Sequence, residues 1–164
     1  TLLQDFLNDT SGRLERSNIR IKFIGSRDRI KKKMVESMER IEKISANKTG
    51  LTFIIALDYG ARQEITQAVK KICTDVKAGT LDISQIDEQL ISDYLYTKDI
   101  PDPDLIIRPS GEKRLSNFLL YQASYSELWY SDILWPDFTI EHLKQAITDY
   151  NGRKRRYGGR TDED

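Results

Sequence analysis

LTFIIALDYGARQEITQAVKKICTDVKAG, residues 51–79, changes its hydrophobic period half-way along. Residues 51–57 are a short apolar run rich in β-branched side chains, the pattern of a buried strand in a parallel sheet. After the polar DYGAR of residues 58–62, apolar side chains recur at Ile65, Ala68, Val69, Ile72, Cys73 and Val76. That spacing is the stripe of a helix with one buried face, and Gly79 ends it. A strand that feeds into a helix is half of a right-handed βαβ crossover. The stretch therefore predicts an α/β fold, a mainly parallel sheet flanked by helices.

The same alternation continues on both sides. IRIKFIG, residues 19–25, alternates apolar and basic residues and predicts a strand with one face more buried. Residues 28–45 place Ile30, Met34, Met38 and Ile41 at helical spacing. Leu3, Phe6, Leu7 and Leu14 fall near one helical face, so the chain opens inside an amphipathic helix and is expected to be part of something longer. Downstream, Ser84, Asp87 and Glu88 mark the start of a helix over 87–95. DIPDPD, residues 99–104, is a breaker, because prolines cannot continue a helix. Residues 104–108 read as a strand, 116–122 as a helix and 127–132 as a short strand. Residues 139–156 read as a closing helix with Ile140, Leu143, Ala146, Ile147 and Tyr150 inward. No repeat or low-complexity linker interrupts this order, which predicts a single domain over residues 1–164.

The chain has 164 residues, enough to bury a core without staples. Its 26 basic and 26 acidic residues cancel, which argues against a surface that coats nucleic acid. Any anion site must therefore be local. Cys73 is the only cysteine, so an internal disulfide and a cysteine-based zinc site are excluded, and a reducing cytoplasm is the expected compartment. No apolar run approaches the roughly 20 residues of a membrane span.

In open parallel sheets, ligands sit beyond the carboxyl ends of the strands. Three polar groups are expected there: DYGAR, the turn RPSGEKRLS (residues 108–116), and Glu127. Arg108 ends a strand, while Arg114 and Ser116 open the next predicted helix. Two guanidinium forks, a hydroxyl and unpaired helix amides could converge on one diphosphate. The alternative is a surface turn whose arginines pair with Asp102, Asp104 or Glu112 while Ser116 caps its helix. Chemistry alone leaves both open.

Residues 108–138, RPSGEKRLSNFLLYQASYSELWYSDILWPDF, resemble the C-terminal signature of the cis-prenyltransferases, the undecaprenyl diphosphate synthase family. IRIKFIG, NKTGLTFIIALDYGARQEI and the closing RRYGG also look like family segments in the right order, so the resemblance covers essentially the whole chain. It implies an enzyme that condenses isopentenyl diphosphate with an allylic diphosphate, one cis double bond at a time. The polyprenyl product would be a lipid carrier for cell-wall synthesis, delivered to the membrane by an enzyme at its inner face. It further implies that Arg108, Arg114 and Ser116 bind isopentenyl diphosphate and that Glu127 helps organise Mg²⁺, in the family often from the partner subunit or through water. The protein would be a homodimer in which Arg156 and Gly158, an Arg-x-Gly element, reach the neighbouring subunit's diphosphate site. The segment around SELWYSDILWPDF, residues 126–138, is the expected subunit interface.

The sequence also departs from that pattern. The family's Asp-Gly-Asn-Gly-Arg loop, whose aspartate carries Mg²⁺ and whose amides hold the allylic diphosphate, has no match in residues 1–164. No catalytic aspartate can therefore be named, and this chain alone is expected to be inactive. Pro109 stands where the family usually has threonine, Asp58 where it has asparagine and Ala61 where it has glycine, which leaves Arg62 a structural reading. A second class remains: a non-catalytic partner subunit, which keeps Arg-x-Gly but generally loses the diphosphate-binding turn that this chain retains. The basic run of residues 151–160 lies beside acidic TDED and reads as helix-end charge rather than a nucleic-acid patch. His142 reads as a surface or boundary residue.

Overall fold

The computed structural model describes residues 17–155. The expected helix over the first residues, and Arg156 and Gly158, lie outside them. The described elements are β1 (Ile19–Ile24), α1 (Lys32–Ser45), β2 (Leu51–Ala56), α2 (Ala61–Lys77), α3 (Glu88–Tyr94), β3 (Leu105–Arg108), β4 (Glu127–Tyr130) and α4 (Ile140–Asn151), with three short 3₁₀ turns between them. Contacts divide the chain into two compact units, Thr1–Asp99 and Ile100–Asp164.

In the first unit β1 and β2 are parallel, in register from Ile19 opposite Leu51 to Ile24 opposite Ala56. The crossover between them is α1, as the predicted βαβ pattern requires. Ile21 and Phe23 of β1 pack against Met38 and Ile41 of α1, which are 2% and 0% exposed. The helix also covers the second edge of β1. The Ile21 amide donates to Ser45 Oγ at 3.0 Å and the Phe23 amide to Glu42 Oε1 at 2.8 Å. Glu42 and Ser45 are three apart on one helix face, and residues 21 and 23 are two apart on one strand edge, so the two periods meet. β1 is thus closed to further pairing by side-chain acceptors.

β2 departs from expectation. Its apolar run reads as buried, yet Leu51 is 66% and Phe53 46% exposed. Among the described residues its strand partner is β1 alone. A run of apolar residues states what a strand needs, and its cover is decided by neighbours. The α2 stripe is also narrower than its sequence. Ala68 and Ile72 are buried, but Val69 and Cys73 are exposed, and Glu64 joins the buried face at 1% exposure. The start of α3 is capped by Asp87, whose carboxylate accepts from the Leu90 amide at 2.7 Å. Ser84 belongs instead to a separate 3₁₀ turn capped by Asp82.

In the second unit β3 and β4 are parallel, from Leu105 opposite Glu127 to Arg108 opposite Tyr130. α4 packs on β4, with Ala146 fully buried and Trp129 Nε1 donating to Asp149 Oδ2 at 2.7 Å. Its predicted inward face is corrected at Ile140 and Ile147, which are 56% and 44% exposed. The helix stops at Asn151 rather than 156. His142 forms a capping box, its Nδ1 accepting from the Thr139 amide at 3.0 Å.

The helix predicted over 116–122 is absent. Ser116, Asn117 and Leu119 have φ of 49°, 63° and 47°. Left-handed residues interrupt the i→i−4 ladder, so the chain makes successive tight turns before a 3₁₀ turn at Gln122–Tyr125. Leu and Phe at helical spacing cannot override three such residues in four.

Candidate functional site

β3 ends at Arg108 and the chain turns through Ser110 and Gly111, with φ of 76° and 72°. The Ser110 and Gly111 amides each donate at 2.8 Å, to the carbonyls of Ile133 and Ser131. Ser131 N donates back to Arg108 O at 3.1 Å, so the turn is stitched to the chain after β4. A Cβ on Gly111 would stand 3.3 Å from Asp132 Oδ1, in a backbone conformation that side chains resist.

Beside this turn lies a cavity of about 320 Å³. Its apolar wall is Ile106, Ile107, Leu115 and Phe118, and its polar rim is Arg108, Ser110 and Glu112. Arg108 is half-buried there and has no carboxylate partner among the described residues. Arg114 is 65% exposed and pairs with Glu112 at close range. Ser116 is exposed.

Two features of the predicted anion site are corrected. There is no helix start at 114–116, so it offers no fan of free amides, and the amides of Ser110 and Gly111 are already spent on backbone carbonyls. What remains is side-chain chemistry: one half-buried guanidinium at a cavity and a second that must exchange Glu112 for an anion. The other correction is Glu127. It was expected with the turn beyond the strands' carboxyl ends, but it opens a parallel strand and so stands at the amino end. It pairs across from Leu105, three residues and about 10 Å along the strand from Arg108. Its Oε2 accepts from Arg153 Nη1 at 2.6 Å.

At the end of β2, Asp58 adopts φ 49° and accepts from Arg29 Nε at 3.0 Å, with a second, shorter contact from Nη2. That pairing raises the Arg29 pKa above its ordinary value, first through the hydrogen bond and then through the charge. Gly25, φ 118°, lets β1 and β2 approach, because a Cβ there would meet Leu57 O at 2.1 Å. Sequence reading missed Glu64. Its Oε2 accepts from Tyr59 OH at 2.5 Å and its Oε1 from the Tyr96 amide at 2.8 Å, tying DYGAR to the chain after α3. The available signal was a carboxylate one turn before Ala68 on the apolar stripe.

A family model described as "Putative undecaprenyl diphosphate synthase" matches residues 1–158. The chain belongs to this family. It is 48% identical over 162 residues to an isoprenyl transferase of Clostridium perfringens, covering 96% of this chain and 62% of the relative. An isoprenyl transferase of Streptococcus pneumoniae is 47% identical, over 94% of this chain and 63% of its own length. The chain thus spans about three-fifths of the curated relatives it matches. Among solved structures it resembles lavandulyl diphosphate synthase from Lavandula x intermedia, crystallised with dimethylallyl diphosphate. The TM-score is 0.90 and the identity 35%, over 95% of this chain and 68% of that one. A probable undecaprenyl diphosphate synthase from Campylobacter jejuni matches with a TM-score of 0.81 at 33% identity, over 96% and 71% of the two chains. The undecaprenyl diphosphate synthase-like α/β fold read from the sequence is therefore the observed one.

Membership of this prenyltransferase family implies Mg²⁺, and the donor set tests it. Among the described residues no three of His, Cys, Asp and Glu converge as metal ligands. Mg²⁺ can make do with one or two carboxylates plus phosphates, but the carboxylate proposed for it, Glu127, is engaged by an arginine at the far end of the strand from the diphosphate turn. The described residues of one chain do not by themselves assemble a magnesium site. No helix among them is long and apolar enough to cross a membrane.

Proposed function

We propose that the chain is part of a cis-prenyltransferase that condenses isopentenyl diphosphate with an allylic diphosphate into a polyprenyl diphosphate. The observation that carries this reading is Arg108 at the rim of the apolar cavity that closes β3. A guanidinium fork can take two oxygens of a diphosphate, while Ile106, Ile107, Leu115 and Phe118 offer a wall suited to a short isoprenoid tail. Arg114 would leave Glu112 for the same diphosphate, and the Ser116 hydroxyl would add a neutral hydrogen bond. Together they hold the second substrate in one orientation, so that its double bond meets the allylic carbon without a search. One family model running from residue 1 to 158 supports treating 1–164 as one domain.

The finer parts of the reading belong to the complete enzyme. They are Mg²⁺ as cofactor, Arg156 and Gly158 as contacts to a neighbouring subunit's diphosphate, a homodimer, and a lipid carrier product delivered from the cytoplasm to the membrane's inner face. The dimer reading is supported by Leu134 and Trp135, 60% and 68% exposed on the segment 126–138.

The test is direct. Isopentenyl diphosphate titrated into the chain by calorimetry should bind, and Arg108→Ala should weaken it by about 1.5–3 kcal/mol, the worth of a charged hydrogen bond. Equal affinity in the variant would refute the site. Residues 1–164 alone should not elongate a primer, since they carry no Asp-Gly-Asn-Gly-Arg loop. Steady elongation would refute that part while leaving the binding site standing.

A further inference from the structure

α4 ends at Asn151, with the Gly152 amide donating to Thr148 O at 3.1 Å, and the next residues run back along the amino ends of β3 and β4. Arg153 and Lys154 are exposed and Arg155 is half-buried, and the Arg153 amide donates to Tyr150 O at 3.1 Å. Arg153 donates to Glu127 Oε2 at 2.6 Å and to Leu128 O at 3.1 Å. Arg155 donates to Asp104 Oδ1 at 2.6 Å, to Tyr150 OH at 2.9 Å and to Tyr125 O at 3.3 Å. Its guanidinium also lies 5.7 Å from the centroid of the Tyr150 ring. The two carboxylates are themselves held in step, because the Glu127 amide donates to Asp104 O at 2.9 Å.

We propose that Glu127 and Asp104 are anchors for Arg153 and Arg155, forming a two-rung clasp that fixes where the chain leaves α4. Each rung joins a carboxylate to a backbone carbonyl on the same guanidinium. That fork sets direction as well as distance, which a lysine's point charge would not. The arrangement gives Glu127 a positioning role within its own chain. The second rung, Arg155, immediately precedes the Arg-x-Gly element in sequence, and the clasp would serve that element. That consequence rests on the proposed function, whereas the clasp itself does not.

The test is hydrogen exchange of residues 152–155 in the full chain, read beside the melting temperature. Glu127→Gln and Asp104→Asn keep shape and remove charge. Each should speed exchange of this segment roughly two- to fivefold with α4 itself unchanged, as expected for a partly exposed ion pair that guards a local opening. The double variant Glu127→Arg with Arg153→Glu should restore slow exchange. Unaltered exchange in both single variants overturns the clasp, and so does a uniform rise across α4 or failure of the reversed pair to rescue. Mg²⁺ added to the wild-type chain should leave this exchange unchanged. If it speeds exchange to the Glu127→Gln level, Glu127 belongs to the metal and the inference falls. None of these readouts depends on isopentenyl diphosphate, so they fail separately from the binding site.

Discussion

Glu64 is the only charged side chain of α2 in the buried set, and both its oxygens are used. Deleting it as Glu64→Ala should cost about 1–3 kcal/mol in urea unfolding, because the Tyr96 amide and Tyr59 hydroxyl lose their acceptor. Glu64→Gln keeps an acceptor for one of them and should cost less. The Tyr96 phenol has its pKa pushed up by burial, then by the charges of Glu64, Asp28 and Asp58. The neutral phenol is thus favoured in the folded chain. Its stabilising effect is complete below about pH 10, the unfolded value, and is lost as pH rises through the higher folded one. Unfolding midpoints should therefore fall above that pH, and Tyr96→Phe should flatten the fall.

Among the elements, β1 shows how an edge is closed without another strand. Ser45→Ala removes the acceptor of the Ile21 amide, at a position with no exposure. A buried amide left unpaired costs about 1–3 kcal/mol, and thermal unfolding of Ser45→Ala should show a loss of that order. The predicted helix over 116–122 illustrates the opposite case. Its side chains are compatible with a helix, but its backbone is not: Ser116, Asn117 and Leu119 are left-handed, and the last carries a branched side chain in a conformation that few non-glycine residues adopt. The two strands and crossover helix of the first unit, the short β3–β4 pair and α4 were legible because burial imposes a period on sequence. A run of turns imposes none.

For the molecule as a whole, the exposed Leu134 and Trp135 are the feature that a lone chain leaves unexplained. Trp135 stacks on Phe138 with ring centroids 5.6 Å apart and is still 68% exposed. If copies pair through this segment, as the proposed homodimer requires, Trp135→Glu should shift sedimentation toward the monomer. The melting temperature at low concentration should be unchanged, since little of the ring is buried in the single chain. A dimer unaffected by that charge would move the interface elsewhere.

Apart from the helix expected over 116–122, the order of strands and helices, the parallel strand pairing and the family were readable in the chain, because each leaves a local mark: a period, a breaker or a run of residue types. A strand over 127–132 in a parallel sheet already puts Glu127 at the amino end, away from the turn after Arg108, and only the register of Glu127 against Leu105 came from the fold. Spacing could not tell that Arg153 would take Glu127, or that Glu64 would be buried, since both depend on groups 26 and 32 residues away along the chain. Sequence carries short-range periods directly, while charge partners and cover are set by the folded neighbours that meet across space.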